Sequence, residues 1–148
     1  MDFRHILVPT DFSTESRRAF PPAAAFARAG KARITLLHVV PDAQLTPHGA
    51  PFAPPMDGLS TAKQSEAARH QLEALRSELK GAVSVDTHVL VANDPAQAIA
   101  RFAKDQGCDL IVTSTHGRTG FRRFMLGSVA EAILRHSEVP VLCVPRQS

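Results

Sequence analysis

Apolar positions along this chain follow two rhythms. The first is the short continuous run: HILVP (5–9), RITLLHVV (33–40) and DLIVTS (109–114). Such runs predict strands buried on both faces, as in a parallel sheet. VSVDTHVLV (83–91) is different, because Val83, Val85, Val89 and Val91 alternate with Ser84, Asp86, His88 and Leu90. That alternation predicts a half-buried edge strand. VPVLCVP (139–145) is a fifth run, and Pro140 near its start points to an edge position as well.

The second rhythm is helical. In 60–81, Ala68, Leu72, Leu75 and Leu79 recur on one face, and Gly81 stands where a helix stops. In 93–107, Asn93 or Asp94 offers an N-cap, Pro95 suits the first turn and Gly107 ends the pattern. The stretch 13–30 is helical in composition but contains Pro21 and Pro22, which predict a kink or a late start. In 128–137, Ser128 and Glu131 form the signature of a capping box, with Ser128 as the N-cap.

Strands and helices therefore alternate, which predicts an α/β sheet of parallel strands with helices on both faces. Residues 41–58 interrupt the alternation with Pro41, Pro47, Pro51, Pro54 and Pro55, and read as a surface insertion or flap. There is no internal repeat, and a length of 148 residues suits one domain, 1–148.

Composition adds little to this picture. An apolar fraction of 44% and a charged fraction of 21% are those of an ordinary globular chain. The net charge of +3 is mild, and its basic residues are scattered except around Arg118, Arg122 and Arg123. A local cluster suits a small anion better than a duplex, so nucleic acid is not an expected partner. Cys108 and Cys143 lie in apolar runs without CxxC spacing and read as buried thiols in a reducing compartment. The N-terminal apolar run is too short for a signal peptide and no run has transmembrane length, so a cytoplasmic location and no membrane partner are expected.

In an open α/β sheet, ligands bind beyond the carboxyl ends of the strands where strand order reverses. That edge receives Pro9-Thr10-Asp11-Phe12-Ser13, Val39-Val40, and the glycine-rich THGRTGFRRFMLGS (115–128). Gly127-Ser128 opens a helix, and a helix N-terminus accepts anions. Other phosphate motifs fail on spacing. Gly120 and Gly127 have six residues between them and no Lys before the Ser, and the turn after the first strand has no glycine. There is no GxSxG elbow, and the seven histidines show neither HxxxH nor HExxH spacing, so no metal site is expected.

ILVPTDFS (6–13), LLHV (36–39), NDPAQAIARFAKDQGCDLIV (93–112) and HGRTGFRRFMLGSVAEAILRHSEVPVLCV (116–144) resemble the universal stress protein family. In its ATP-binding branch the signature is Gly, two residues, Gly, nine residues, then Gly followed by Ser or Thr. Gly117 and Gly127-Ser128 match it, and the first position falls on Ser114. The resemblance implies a three-layer Rossmann-like fold with strand order 3-2-1-4-5, and a homodimer joined through the last strand, 140–144. It implies ATP, or AMP or ADP, as ligand, with Mg²⁺. Pro9, Thr10 and Asp11 would contact the adenosine and Val39 the adenine. Gly117 and Gly127 would let the backbone approach the phosphates, with Ser128 and Val129 donating to them. Ser114, His116 and Arg118 complete the candidate set.

Plainer roles compete with several of these. Ser128 fits a simple N-cap, Asp11 an N-cap before FSTES, and Arg118, Arg122 and Arg123 a solvated surface. His38 and His116 fit structural roles. If glycine at position 114 supplies only room, serine fits; if it supplies a positive φ, serine brings strain of roughly 1–2 kcal/mol and weakens binding without abolishing it. The expected function is a dimeric stress-response sensor or binding module. Alternatives are a slow ATPase, for which Asp11 and His116 are the only obvious bases, or a family member without nucleotide that works through partners. No catalytic residue is assigned.

Overall fold

The computed structural model describes residues 2–42, 60–79, 82, 84–116 and 126–146. Five parallel strands, β1 (His5–Pro9), β2 (Arg33–Val40), β3 (Val85–Val91), β4 (Leu110–Ser114) and β5 (Val141–Val144), form one sheet in the order β3-β2-β1-β4-β5. Four helices connect them: α1 (Phe20–Gly30), α2 (Thr61–Leu75), α3 (Pro95–Asp105) and α4 (Ser128–His136). The fold is the expected one, and so is the strand order.

The continuous apolar runs have a direct cause. Every residue of β1 and of β4 is buried. Ile6, Val8, Ile34, Leu36, Leu110 and Val112 face one way, against Phe20, Ala23 and Ala27 of α1 and Ala68 and Leu72 of α2. Leu7, Leu37 and Ile111 face the other way, against Ala96, Ile99 and Ala103 of α3 and Ile133 of α4. The alternation in β3 likewise reports its edge position, where Val85 and Val89 pack inward while Asp86 and His88 are exposed. All four residues of β5, the other edge, are half-buried.

Helix ends follow local chemistry at three of four starts. Asp94 caps α3 by accepting the Gln97 N–H at 3.1 Å, and Pro95 occupies its first turn. Ser60 caps α2, accepting the Lys63 N–H at 3.3 Å. Pro21 and Pro22 cause no kink, because α1 starts late and both fall in its first turn, where their missing N–H groups have no intrahelical partner. A short 3₁₀ turn, Ser16–Ala19, precedes it. Gly30 closes α1 without being its left-handed residue, which is Lys31 at φ 53°. What requires glycine at position 30 is close approach: a Cβ there would lie 2.4 Å from the Phe3 carbonyl oxygen.

The fourth start departs from expectation. Ser128 is not the N-cap of α4: Gly127 is, Ser128 is the first helical residue, and among the described residues no side chain caps the helix. Glu131 turns outward to pair with Arg135 at 2.8 Å. The proposed stop at Gly81 lies outside the described residues, as does the Pro-rich stretch from 43 onward.

At the amino end of the sheet, the end away from Pro9 and Ser114, His5 is buried in a polar knot. Arg33 donates to its Nδ1 at 3.2 Å, so Nε2 carries the proton and donates to Thr35 Oγ1 at 2.8 Å. Cys108 Sγ lies 3.6 Å from Nδ1. Burial, then the Arg33 guanidinium, holds His5 below the usual imidazole value of 6.5, against the opposing pull of the Gln106 backbone, Asp109 and Asp86. Burial pushes the Cys108 thiol up to about 11, so it is a packing group and not a nucleophile. The unfolded chain protonates His5 near 6.5 and the folded chain only at lower pH. Stability is full above that value and is lost as pH falls through the folded one. Thermal melts from about pH 7.5 to about pH 5 should show a falling Tm, with a shallower fall in His5→Gln. An identical slope in the variant would contradict this role.

Candidate functional site

The C-terminal ends of β1 and β4 are neighbours across the point where strand order reverses. Between the chain segments that leave them lies a cavity of about 240 Å³. Among the described residues, most of its wall comes from four places: Pro9 at the end of β1 with Thr10, Asp11 and Ser16 beyond it; Leu37, His38 and Val39 of β2; Thr113, Ser114 and Thr115 at the end of β4; and Gly127 to Ala130 with Ile133 of α4. Pro95 and Ile99 of α3 close it from the side. The wall therefore combines aliphatic surface with hydroxyls and backbone amides.

The turn after β1 is held by a directed chain of hydrogen bonds. The Thr10 N–H continues the ladder to the Leu37 carbonyl at 2.9 Å. The Phe12 N–H donates to Thr10 Oγ1 at 3.1 Å, and Ser16 Oγ donates to the Ser13 carbonyl at 2.8 Å. The Thr10 hydroxyl is then left to donate to Ser16 Oγ, 2.8 Å away. Asp11 Oδ1 accepts both the N–H and the hydroxyl of Ser13. Phe12 sits at φ 67°, a left-handed conformation that costs a non-glycine residue roughly 1–2 kcal/mol. Its ring lies against His38, centroids 4.3 Å apart. His38 Nδ1 donates to the Thr10 carbonyl at 2.8 Å, a structural role for this histidine. Network and ring contact offset the strain and fix Thr10 and Asp11 at the cavity.

The opposite flank is the start of α4. Gly127 is extended at φ −60° and ψ 150°, so its glycine character is not for backbone freedom. Its N–H donates to the Thr115 carbonyl at 2.6 Å, and a Cβ there would lie 2.6 Å from that same oxygen and 3.5 Å from His116 Cα. Only glycine allows the helix start to come this close to the end of β4. The Glu131 N–H bonds back to the Gly127 carbonyl at 2.9 Å, which leaves the amides of Ser128, Val129 and Ala130 without intrahelical acceptors. With no capping side chain among the described residues, these amides lie at the cavity wall, where the positive end of α4 favours an anion.

Of the sequence candidates, Pro9, Thr10, Asp11, Val39, Ser114, Gly127, Ser128 and Val129 share this cavity. Ser114 is not at positive φ, which among non-glycine residues is found only at Phe12 and Lys31 of the described chain. Serine there is unstrained. His116 is not in the described wall; it is buried, with Nδ1 2.8 Å from Thr115 Oγ1 and no hydrogen-bond partner at Nε2. Gly117 and Arg118 lie outside the described residues, as do Gly120, Arg122 and Arg123. Ser16, Thr113, Ile99 and Ile133 escaped the sequence reading. Ile99 and Ile133 look like core residues by spacing, and only their meeting at the cavity distinguishes them. Among the described residues no three histidine, cysteine or carboxylate side chains converge on a metal position, and no helix is long and apolar enough to cross a membrane.

A doubly wound parallel sheet with helices on both faces and a cavity at its switch point defines a Rossmann-like α/β domain. The chain belongs to the universal stress protein family, whose model matches residues 2–145. It is 28% identical to universal stress protein MJ0577 of Methanocaldococcus jannaschii, over 99% of this chain and 97% of that one. The solved MJ0577 structure superposes with a TM-score of 0.81 at 29% identity, covering 100% of this chain and 99% of that chain. Universal stress protein YxiE of Bacillus subtilis is 30% identical over 96% of this chain and 99% of its own. The universal stress protein of Archaeoglobus fulgidus in complex with dAMP matches with a TM-score of 0.65 at 25% identity, over 97% of this chain and 98% of that one.

Proposed function

We propose that this chain is a single-domain, dimeric, cytoplasmic adenine-nucleotide-binding module of the stress response, with ATP, ADP or AMP in the switch-point cavity. The observation that carries the reading is the pairing of aliphatic wall residues with three amides at the start of α4 that no described side chain caps. A base and a phosphate need those two surfaces. The dAMP complex of the Archaeoglobus relative supports the same class of ligand.

Val39 and Ile99 supply apolar surface for the base, and Thr10 and Asp11 polar groups for the nucleoside. The amides of Ser128 and Val129 donate to phosphate, charge-assisted bonds of about 1.5–3 kcal/mol each. Gly117 and Arg118 are assigned to the phosphates on the motif alone. Mg²⁺ would ride on the phosphates, with Asp11 the one carboxylate in the described wall. Asp11 Oδ1 already accepts two hydrogen bonds from Ser13, and His116 is outside the described wall, so neither is assigned as a base. The function proposed is binding, not turnover.

The half-buried apolar edge of β5 is the proposed dimer surface, since an open apolar edge calls for a partner. Light scattering should give about twice the 16.0 kDa of one chain, and Leu142→Asp should return it to one. A wild-type mass equal to one chain at micromolar concentration would contradict the dimer. For the ligand, the direct test is mass spectrometry of small molecules released on denaturing the purified protein. An adenine nucleotide near one per chain is expected. Its absence, together with no uptake of added AMP, ADP or ATP, would overturn the reading. The chain has no Trp and no Tyr, so bound nucleotide should also appear as a clear shoulder near 260 nm.

A further inference from the structure

We propose that Ser114 is a positioning residue for the phosphate end of the cavity, and not a passive replacement for glycine. The inference rests on the nucleotide reading above and adds a specific role for one hydroxyl. Ser114 ends β4, is buried and lines the cavity. Its Oγ does not point its proton at the ligand space: it donates to the His116 carbonyl at 2.8 Å, two residues on.

That bond closes a small frame. Thr115, enclosed by it, donates its N–H to the Val144 carbonyl at 3.0 Å and accepts the Gly127 N–H on its own carbonyl at 2.6 Å. The Thr115 side chain meets His116 Nδ1 at 2.8 Å. Residues 114–116 are thus tied to β5, to each other and to the N-cap of α4. The position of Gly127 sets the direction of the Ser128, Val129 and Ala130 amides, because Gly127 is the last residue before them. A glycine at position 114 cannot make the Ser114–His116 bond. It would leave the His116 carbonyl without this donor and residues 114–116 with more backbone freedom. The serine hydroxyl therefore takes part in aiming the amides that receive phosphate.

Calorimetric titration of AMP and of adenosine into the wild type and into Ser114→Ala, Ser114→Cys and Ser114→Thr variants tests this. Loss of one buried hydrogen bond should weaken AMP binding about 5-fold in S114A. S114C, close in volume but a poor donor, should behave alike and serves if S114A does not fold. S114T retains the hydroxyl and should stay within about 2-fold of wild type. Adenosine, which lacks the phosphate, should bind all four proteins equally. Without any ligand, hydrogen exchange at the Gly127 amide should accelerate in S114A. AMP binding in S114A and S114C equal to or tighter than wild type would mean the side chain only occupies space, and would overturn the inference while leaving the nucleotide reading intact. An equal loss for adenosine and AMP would also overturn it, because the effect would then be general destabilisation. A wild type that binds no AMP at millimolar concentration would overturn the nucleotide reading and this inference with it.

Discussion

Gly127→Val is expected to abolish measurable nucleotide binding in a protein that still folds. Even the first carbon of the new side chain would lie 2.6 Å from the Thr115 carbonyl oxygen, and backbone cannot yield as a flexible side chain can. Either the start of α4 or the end of β4 must move. The Gly127 N–H to Thr115 bond is lost in either case. Overpacking of this kind costs about 1–3 kcal/mol of stability. Binding suffers more, since displaced Ser128 and Val129 amides forfeit two charge-assisted bonds of about 1.5–3 kcal/mol each, a loss of roughly 100-fold or more. Calorimetry with AMP, alongside a thermal melt, checks both. Affinity within a few-fold of wild type would show that α4 does not hold the phosphate.

Ile133→Ala is expected to have the opposite balance, a large loss of stability with a smaller effect on ligand. Ile133 is fully buried in the core formed by Leu7, Leu37, Ile99 and Ile111, and also reaches the cavity wall. Removing three carbons there should cost about 2–5 kcal/mol, the usual range for a core aliphatic truncated to alanine. Against a typical total of about 5–15 kcal/mol this is a large share. Urea unfolding should show a lower midpoint at unchanged slope. A cost under about 1 kcal/mol would mean that α4 packs on the sheet more loosely than its contacts indicate.

The contrast between Gly127 and Ile133 shows where sequence is informative. Strands β1, β2 and β4 were legible because burial on both faces leaves continuous apolar runs, and β3 because an edge strand alternates. The N-cap of α3 was legible because Asp94 acts on its own helix three residues away. The N-cap of α4 was not. Ser128 and Glu131 carry a capping-box pattern, but the close approach of Gly127 to Thr115, twelve residues back, fixes the helix start one residue earlier. No local rule contains that contact. Phe12 is a similar case: a left-handed phenylalanine is unfavourable taken alone, and the Thr10 and Ser16 hydroxyls, the Ser13 carbonyl and the His38 ring make it tenable. His116 stands next to Gly117 in the chain, yet that proximity does not put it in the described wall. Ser114 was legible as a departure from the family motif. What its hydroxyl does depends on a carbonyl two residues on, which only the folded chain displays.

The proposed function puts the phosphate of an adenine nucleotide at the start of α4, on the amides of residues 128–130. The most direct measurement is amide NMR during titration with AMP and then ATP. The largest shifts should fall on the amides of Ser128, Val129 and Ala130, with smaller ones at Thr10, Asp11 and Val39 that adenosine alone reproduces. Unmoved amides at 128–130 with either nucleotide at millimolar concentration would contradict the claim.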